Sequence, residues 1–173
     1  EQNDELKLSP RTIAYVVGEL QKYSFLDTNI DVKGKAYEEI VGANLRGDRG
    51  EFFTPRNVMK MTVEMVAPKI GETVLDSSCG TGGFLVQAMN YVINQIEIQL
   101  EKTLGKPKKQ WSDVQKQTAN DRIKEIASKH FFGFDINPDL VKATKMNMVM
   151  NNDGAGNILR ANSLLPPHEW DLD

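Results

Sequence analysis

The run Thr73-Val74-Leu75-Asp76-Ser77-Ser78-Cys79-Gly80-Thr81-Gly82-Gly83 limits what this chain can fold into more than any other segment. Thr73 to Leu75, following the Gly71 turn, reads as a short strand. Small residues and three glycines then form a turn, and a helical pattern starts from about Phe84. A strand that empties into a glycine turn and a helix opens a parallel α/β unit, because the next parallel strand is reached only through a crossover. Glycines at the carboxyl edge of such a sheet let the backbone approach a ligand closely, so the loop is a candidate binding surface.

The pattern repeats downstream. A helix is expected near Asp121 to Lys129, a strand over His130-Phe131-Phe132-Gly133-Phe134, then Asp135 and a helix opened by Asn137-Pro138, with a third strand at Asn157 to Arg160. Upstream, Ser9-Pro10 and Thr54-Pro55 each carry a capping residue followed by the proline that suits a first helical position. Ile13, Val16, Val17, Leu20 and Tyr23 follow the first pair, and Val58, Met61, Thr62, Met65 and Val66 the second, until Pro68. A further helix is expected from Gly34 to Leu45, before the Gly47-Asp48-Arg49-Gly50 turn. Strands alternating with helices predict a parallel sheet covered on both faces. With about three strands where a doubly wound sheet has more, the fold is expected to be incomplete.

The glycine loop discriminates among ligands. A nucleoside-triphosphate loop reads G-x-x-x-x-G-K-[ST], but five residues after Gly80 stands Leu85. A G-x-G-x-x-G dinucleotide fingerprint also fails at Leu85, which disfavours NAD. Asp135, directly after an apolar strand, is placed to accept the two hydroxyl hydrogens of a ribose, and Ile136 beside it to pack on an adenine face. Asp135 is equally suited to capping the next helix, and the roles are compatible. The single cysteine, Cys79, precludes an internal disulfide and a Cys-rich zinc site, and no metal is expected.

Together, Asp76-Ser77-Ser78-Cys79-Gly80-Thr81-Gly82-Gly83-Phe84-Leu85, Glu51-Phe52-Phe53-Thr54-Pro55-Arg56 and Asp31-Val32-Lys33-Gly34-Lys35-Ala36-Tyr37-Glu38 resemble the adenine-N6 DNA methyltransferases. More narrowly, they resemble the methyltransferase (modification) subunit of type I restriction–modification systems. The resemblance covers most of positions 31 to 165. It implies a Rossmann-like S-adenosylmethionine-dependent methyltransferase fold, with a helical segment at 1–50 and the incomplete cofactor-binding part at 51–173. It implies that Phe53 and Thr54 border the cofactor, that Asp76, Cys79, Gly80, Thr81 and Gly82 shape the pocket for its methionine part, and that Asp135 and Ile136 meet the ribose and adenine. The family's third acidic position is matched by Asn162 of Asn162-Ser163-Leu164, which accepts the adenine amino hydrogen through its amide oxygen but brings no charge. Ser77 stands where the family commonly has proline.

The family's Asn-Pro-Pro-Phe or Asn-Pro-Pro-Tyr tetrapeptide is absent, since Asn137-Pro138 is followed by Asp139. No catalytic residue is therefore assigned in this chain, and alone it is not expected to methylate DNA. The partners implied are DNA, a specificity subunit and a restriction/translocase subunit. Alternatives are an amino methyltransferase acting on protein glutamine or RNA, and a non-catalytic scaffold for a specificity subunit.

Composition adds boundaries. Net charge is −3, with 21 Lys and Arg against 24 Asp and Glu, without the basic excess of a small dedicated nucleic-acid binder. Between Glu101 and Lys129, however, eight basic residues face four acidic ones. Lys102, Lys106, Lys108 and Lys109 around Trp111 read as a solvated loop or a phosphate-contacting patch. No stretch approaches the roughly 20 apolar residues that cross a bilayer, and a cytoplasmic protein is expected. Cys79 reads foremost as a small packed side chain, and Met146, Met148 and Met150 with Asn147, Asn151 and Asn152 as core and capping residues.

Overall fold

The structure, a computed structural model, describes residues 8–23, 54–151 and 155–170. The helix expected over Gly34 to Leu45, the turn at Gly47 to Gly50, and Phe53 lie outside the described residues. Helix α1, Pro10–Leu20, is capped by the Ser9 side chain, which accepts the Thr12 N–H, and none of its residues is buried. Helix α2, Arg56–Val66, starts after Pro55 without a side-chain cap, so Thr54 does not take the capping position read from Thr54-Pro55. Ala67, in the left-handed conformation at φ 48°, ends it before Pro68.

Three strands follow: β1 (Val74–Asp76), β2 (Phe131–Asp135) and β3 (Ile158–Arg160). They pair in parallel in the order β1-β2-β3, with Val74 opposite Phe131 and Gly133 opposite Ile158. All three start one residue later than the sequence pattern predicts, and His130 closes a helix instead of opening a strand. Between β1 and β2 run α3 (Gly83–Leu104) and α4 (Asp113–His130), and between β2 and β3 runs α5 (Pro138–Met150). The start of α4 lies eight residues ahead of the predicted Asp121. A reciprocal cap sets it there: Ser112 accepts the Gln115 N–H, and the Gln115 side chain accepts the Ser112 N–H.

Paired residues of parallel strands share a face. Val74, Phe131, Gly133 and Ile158 face the helical layer, where Leu85, Met89, Val92, Ile96, Ile123 and Met148 form the core. The opposite face carries Leu75, Phe132, Phe134 and Leu159. Leu75 is 54% exposed, and Phe134 is covered by Trp170, which meets it edge-on at 4.9 Å between ring centroids. The expectation of helices on both faces is thus not met among the described residues. The strand order explains why: β1-β2-β3 advances in one direction, so successive right-handed crossovers stack on the same side.

At roughly 1.5 Å per residue α3 is about 33 Å long, twice the reach of any strand. It packs against α4 beyond the sheet, where Arg122 donates to the Gln99 side chain at 3.1 Å and Lys108 pairs with Glu97 at 2.6 Å. Trp111 is buried at the end of this pair, its Nε1–H donating to the Lys106 carbonyl at 3.2 Å. Of the segment read as a solvated loop or a phosphate-contacting patch, Trp111 is thus packed inward. No helix among the described residues is long and apolar enough to cross a membrane.

Gly133 marks the tightest point of the layer. A Cβ there would lie 2.7 Å from Leu85 Cδ1, 2.9 Å from Ile158 Cδ1 and 3.2 Å from Cys79 Sγ. Leu85 and Ile158 are fully buried and have nowhere to swing. Gly133→Ala is therefore expected to destabilise the chain by about 1–3 kcal/mol, as overpacking does. Urea unfolding checks this; a midpoint unchanged from the parent would contradict the packing described.

Candidate cofactor site

The carboxyl ends of the three strands are tied together by hydrogen bonds that the sequence does not announce. Asp135, 9% exposed, is the hub. Its Oδ2 accepts the Gly80 N–H at 2.9 Å, its Oδ1 the Asn137 N–H at 2.9 Å, and its backbone carbonyl the Ala161 N–H at 3.1 Å. The Cys79 N–H reaches back to the Phe134 carbonyl at 2.8 Å. Ser163 Oγ donates to the Ser77 carbonyl, linking the loop after β3 to the loop after β1. Helix α5 is capped separately, by Asn137 Oδ1 accepting the Asp139 N–H at 3.0 Å. Asp135 therefore anchors the loops instead of capping the helix.

The glycine loop turns through two left-handed residues, Gly80 at φ 55° and Gly82 at φ 81°. Their surroundings differ. A Cβ at Gly80 would enter open space, whereas one at Gly82 would strike Thr144 Cγ2 at 2.8 Å. Gly83 is closed as well, by Met59 Sδ at 2.5 Å from an added Cβ, which is how α2 comes to lie close on α3. The N-terminus of α3 carries no side-chain cap. Its first-turn amides point towards the loop with the positive end of the helix dipole.

Eight predicted residues gather at this edge: Asp76, Cys79, Gly80, Thr81, Gly82, Asp135, Ile136 and Asn162. Ile136 is 59% exposed beside Asp135. Asn162 Oδ1 accepts the Leu164 N–H at 3.2 Å, which leaves one lone pair available. Thr54 is exposed ahead of α2 and takes no part in these bonds, and Phe53 is outside the described residues. An apolar cleft of about 310 Å³ runs along β1 between α2 and α3, lined by Thr62, Val66, Leu75, Phe84 and, at its polar end, Asp76 and Ser77. Of the predicted residues only Asp76 touches it, so the cleft adjoins the loop site and does not coincide with it.

Electrostatics follow from burial. Desolvation raises the Asp76 carboxyl above its ordinary value; the Ser78 N–H at 3.2 Å partly opposes this, and the Asp135 charge adds to it. Two carboxylates held near one another favour a cationic ligand. Thr144, which sequence reading did not single out, and Asn147, which it left among core and capping residues, donate to the Gly80 and Thr81 carbonyls at 2.6 and 2.8 Å. Their polar character at helical spacing on an otherwise buried stripe is the signal that could have found them.

A family model described as N-6 DNA Methylase matches residues 28–172. The chain belongs to that family. It is 29% identical over 140 residues to the type II restriction enzyme and methyltransferase RM.BcgI of Heyndrickxia coagulans, covering 80% of this chain and 19% of the relative. It is 45% identical over 60 residues to the type I restriction enzyme EcoEI methylase subunit of Escherichia coli, covering 34% of this chain and 12% of the relative. Among solved structures, a modification subunit assigned to a type I restriction enzyme from Vibrio vulnificus YJ016 matches with TM-score 0.50 and 26% identity, over 79% of this chain and 25% of that one. The chain thus spans a fifth or less of the length of these two curated relatives. The small parallel α/β sheet of this chain accords with part of a methyltransferase fold, and its family implies a methyl donor.

Cys79 is a packed residue at this site. Burial, aided by the nearby Asp76 and Asp135 charges, pushes its thiol up to about 12 from 9.0. The thiol contribution to stability is complete below the unfolded value of 9.0 and is lost as pH climbs towards 12, because the unfolded chain ionises first. In the folded chain Cys79 is expected to resist a thiol-specific reagent at mildly alkaline pH and to react once denaturant is added. Rapid labelling of the folded protein would contradict its placement.

Proposed function

We propose that this chain is the donor-binding part of an adenine-N6 DNA methyltransferase, the modification subunit of a type I restriction–modification system, with S-adenosylmethionine as the donor. The observation that carries the reading is the Asp135 carboxylate, held by Gly80 and Asn137 N–H groups at the open end of the sheet. Each oxygen keeps a lone pair for a ribose hydroxyl. Ile136 offers an exposed apolar ledge for the adenine, and Asn162 Oδ1 an acceptor for its amino group. The open space over Gly80 and the uncapped start of α3 suit the amino-acid arm, whose carboxylate is favoured at a helix N-terminus.

When bound, the donor supplies an electrophilic methyl carbon on a sulfonium. Asp76 and Asp135 favour that positive charge, and the loop fixes its direction, so the chain contributes orientation and electrostatics to the transfer. Acceptors that draw out the amino hydrogens of a target adenine belong to the tetrapeptide this sequence lacks. DNA, a specificity subunit and a restriction/translocase subunit are the partners proposed with this reading. The long match to RM.BcgI favours a second arrangement, in which the same module sits in a chain that also cuts DNA.

Calorimetric titration with S-adenosylmethionine, run beside NAD, tests the proposal. Saturable binding of S-adenosylmethionine is expected, weakened at least roughly tenfold in a folded Asp135→Ala variant that lacks the buried acceptor. No binding by the folded parent, or binding of NAD alone, would sink it. Affinity for S-adenosylmethionine should also fall, relative to the thioether S-adenosylhomocysteine, as pH drops into the raised titration range of Asp76. A constant ratio across that range would remove Asp76 from the charge argument.

A further inference from the structure

We infer that Thr144 and Asn147 of α5 are positioning residues for the donor site, holding the glycine loop by its carbonyls so that its open side faces the ligand. The inference rests on the donor-binding reading above and deepens it. Thr144, Asn147 and Asn151 lie three and four residues apart, which puts them on one stripe of the helix. All three are buried, at 0%, 7% and 4% exposure. Polar side chains at such positions cost stability unless bonded, so apolar residues would pack there more cheaply.

Their bonds lead in one direction. Thr144 Oγ1 donates to the Gly80 carbonyl at 2.6 Å and lies 3.7 Å from the Cys79 thiol, which donates to it. Asn147 Nδ2 donates to the Thr81 carbonyl at 2.8 Å. Asn151 Nδ2 donates to the Asn147 carbonyl at 2.9 Å and to Asn147 Oδ1 at 3.1 Å, which turns the Asn147 amide so that its nitrogen faces the loop. The loop cannot satisfy these carbonyls in the sheet, because it leaves the ladder at Asp76 and passes through two left-handed glycines. With two successive carbonyls drawn into α5, and the Gly80 N–H drawn to Asp135, the open position over Gly80 is fixed from behind and from the side. The Thr144 methyl completes the fit by occupying the space that a Gly82 side chain would need.

A bond that only glued α5 to the sheet would affect every ligand in proportion to lost folding; a bond that sets the loop affects the part of the ligand the loop meets. Thr144→Val keeps the shape and removes the donor, while Thr144→Ser keeps the donor and removes a methyl. Affinities for S-adenosylmethionine and for methylthioadenosine, which lacks the amino-acid arm, are measured by calorimetry on folded variants, with hydrogen exchange at Gly80 to Gly82 measured without ligand. Thr144→Val is expected to weaken S-adenosylmethionine roughly tenfold while moving methylthioadenosine less than about twofold, and to speed loop exchange, because the partly buried Gly80 carbonyl loses its donor. Thr144→Ser should restore both readouts. Parent-like binding and exchange in Thr144→Val, or equal losses for both ligands, would overturn the positioning role while leaving the donor site standing. A folded parent that binds neither ligand would overturn the donor site and this inference together.

Discussion

The carboxylate of Asp135 is the constraint on which the carboxyl edge of this molecule depends. A buried carboxylate is tolerable only when its oxygens are occupied, and here two backbone N–H groups from separate loops occupy them. The side chain at the end of the central strand thereby fixes where the first glycine of one loop and the start of another helix must lie. Its backbone carbonyl does the same for the chain leaving β3. One residue sets the relative positions of three loops, and the geometry proposed for the ribose follows from what its oxygens have left to accept.

Packing supplies the other half of the arrangement. Gly82, Gly83 and Gly133 are each closed off by a neighbouring side chain, so three helices approach the loop and sheet as near as backbone allows. Gly80 alone in that group faces open space. The contrast separates glycines needed for assembly from the one whose bareness is available to a ligand. The sheet shows a similar contrast, with one face filled by α3, α4 and α5 and the other leaving Leu75 half exposed.

Much of this was legible in the sequence. The strand, glycine turn and helix around Asp76 to Gly83 appear within a residue of their expected places, because turn chemistry and apolar patterning are local. The pairing of Asp135 with the glycine loop was legible only as proximity, since the Gly80 N–H bond spans 55 residues. The early start of α4 escaped because its helix is weakly amphipathic and is set by the Ser112 and Gln115 cap. Thr144 and Asn147 escaped for a different reason. Buried polar residues on a helix look like exceptions to a core until the carbonyls they serve are placed beside them.

The paired helices α3 and α4 also bear on how this sheet is reached. Fifty-four residues separate Asp76 from Phe131, against twenty-two between Asp135 and Ile158. For flexible connections that difference adds about 0.8 kcal/mol of closure entropy to the β1–β2 pairing. A rod of α3's length would carry the chain far past the sheet, and it is the return of α4 that brings His130 back to the edge where β2 begins. The docking of α4 on α3 thus stands in for a short loop: it brings the two ends of a long connection within reach of one another, so the β1–β2 pairing depends on a helix contact made outside the sheet.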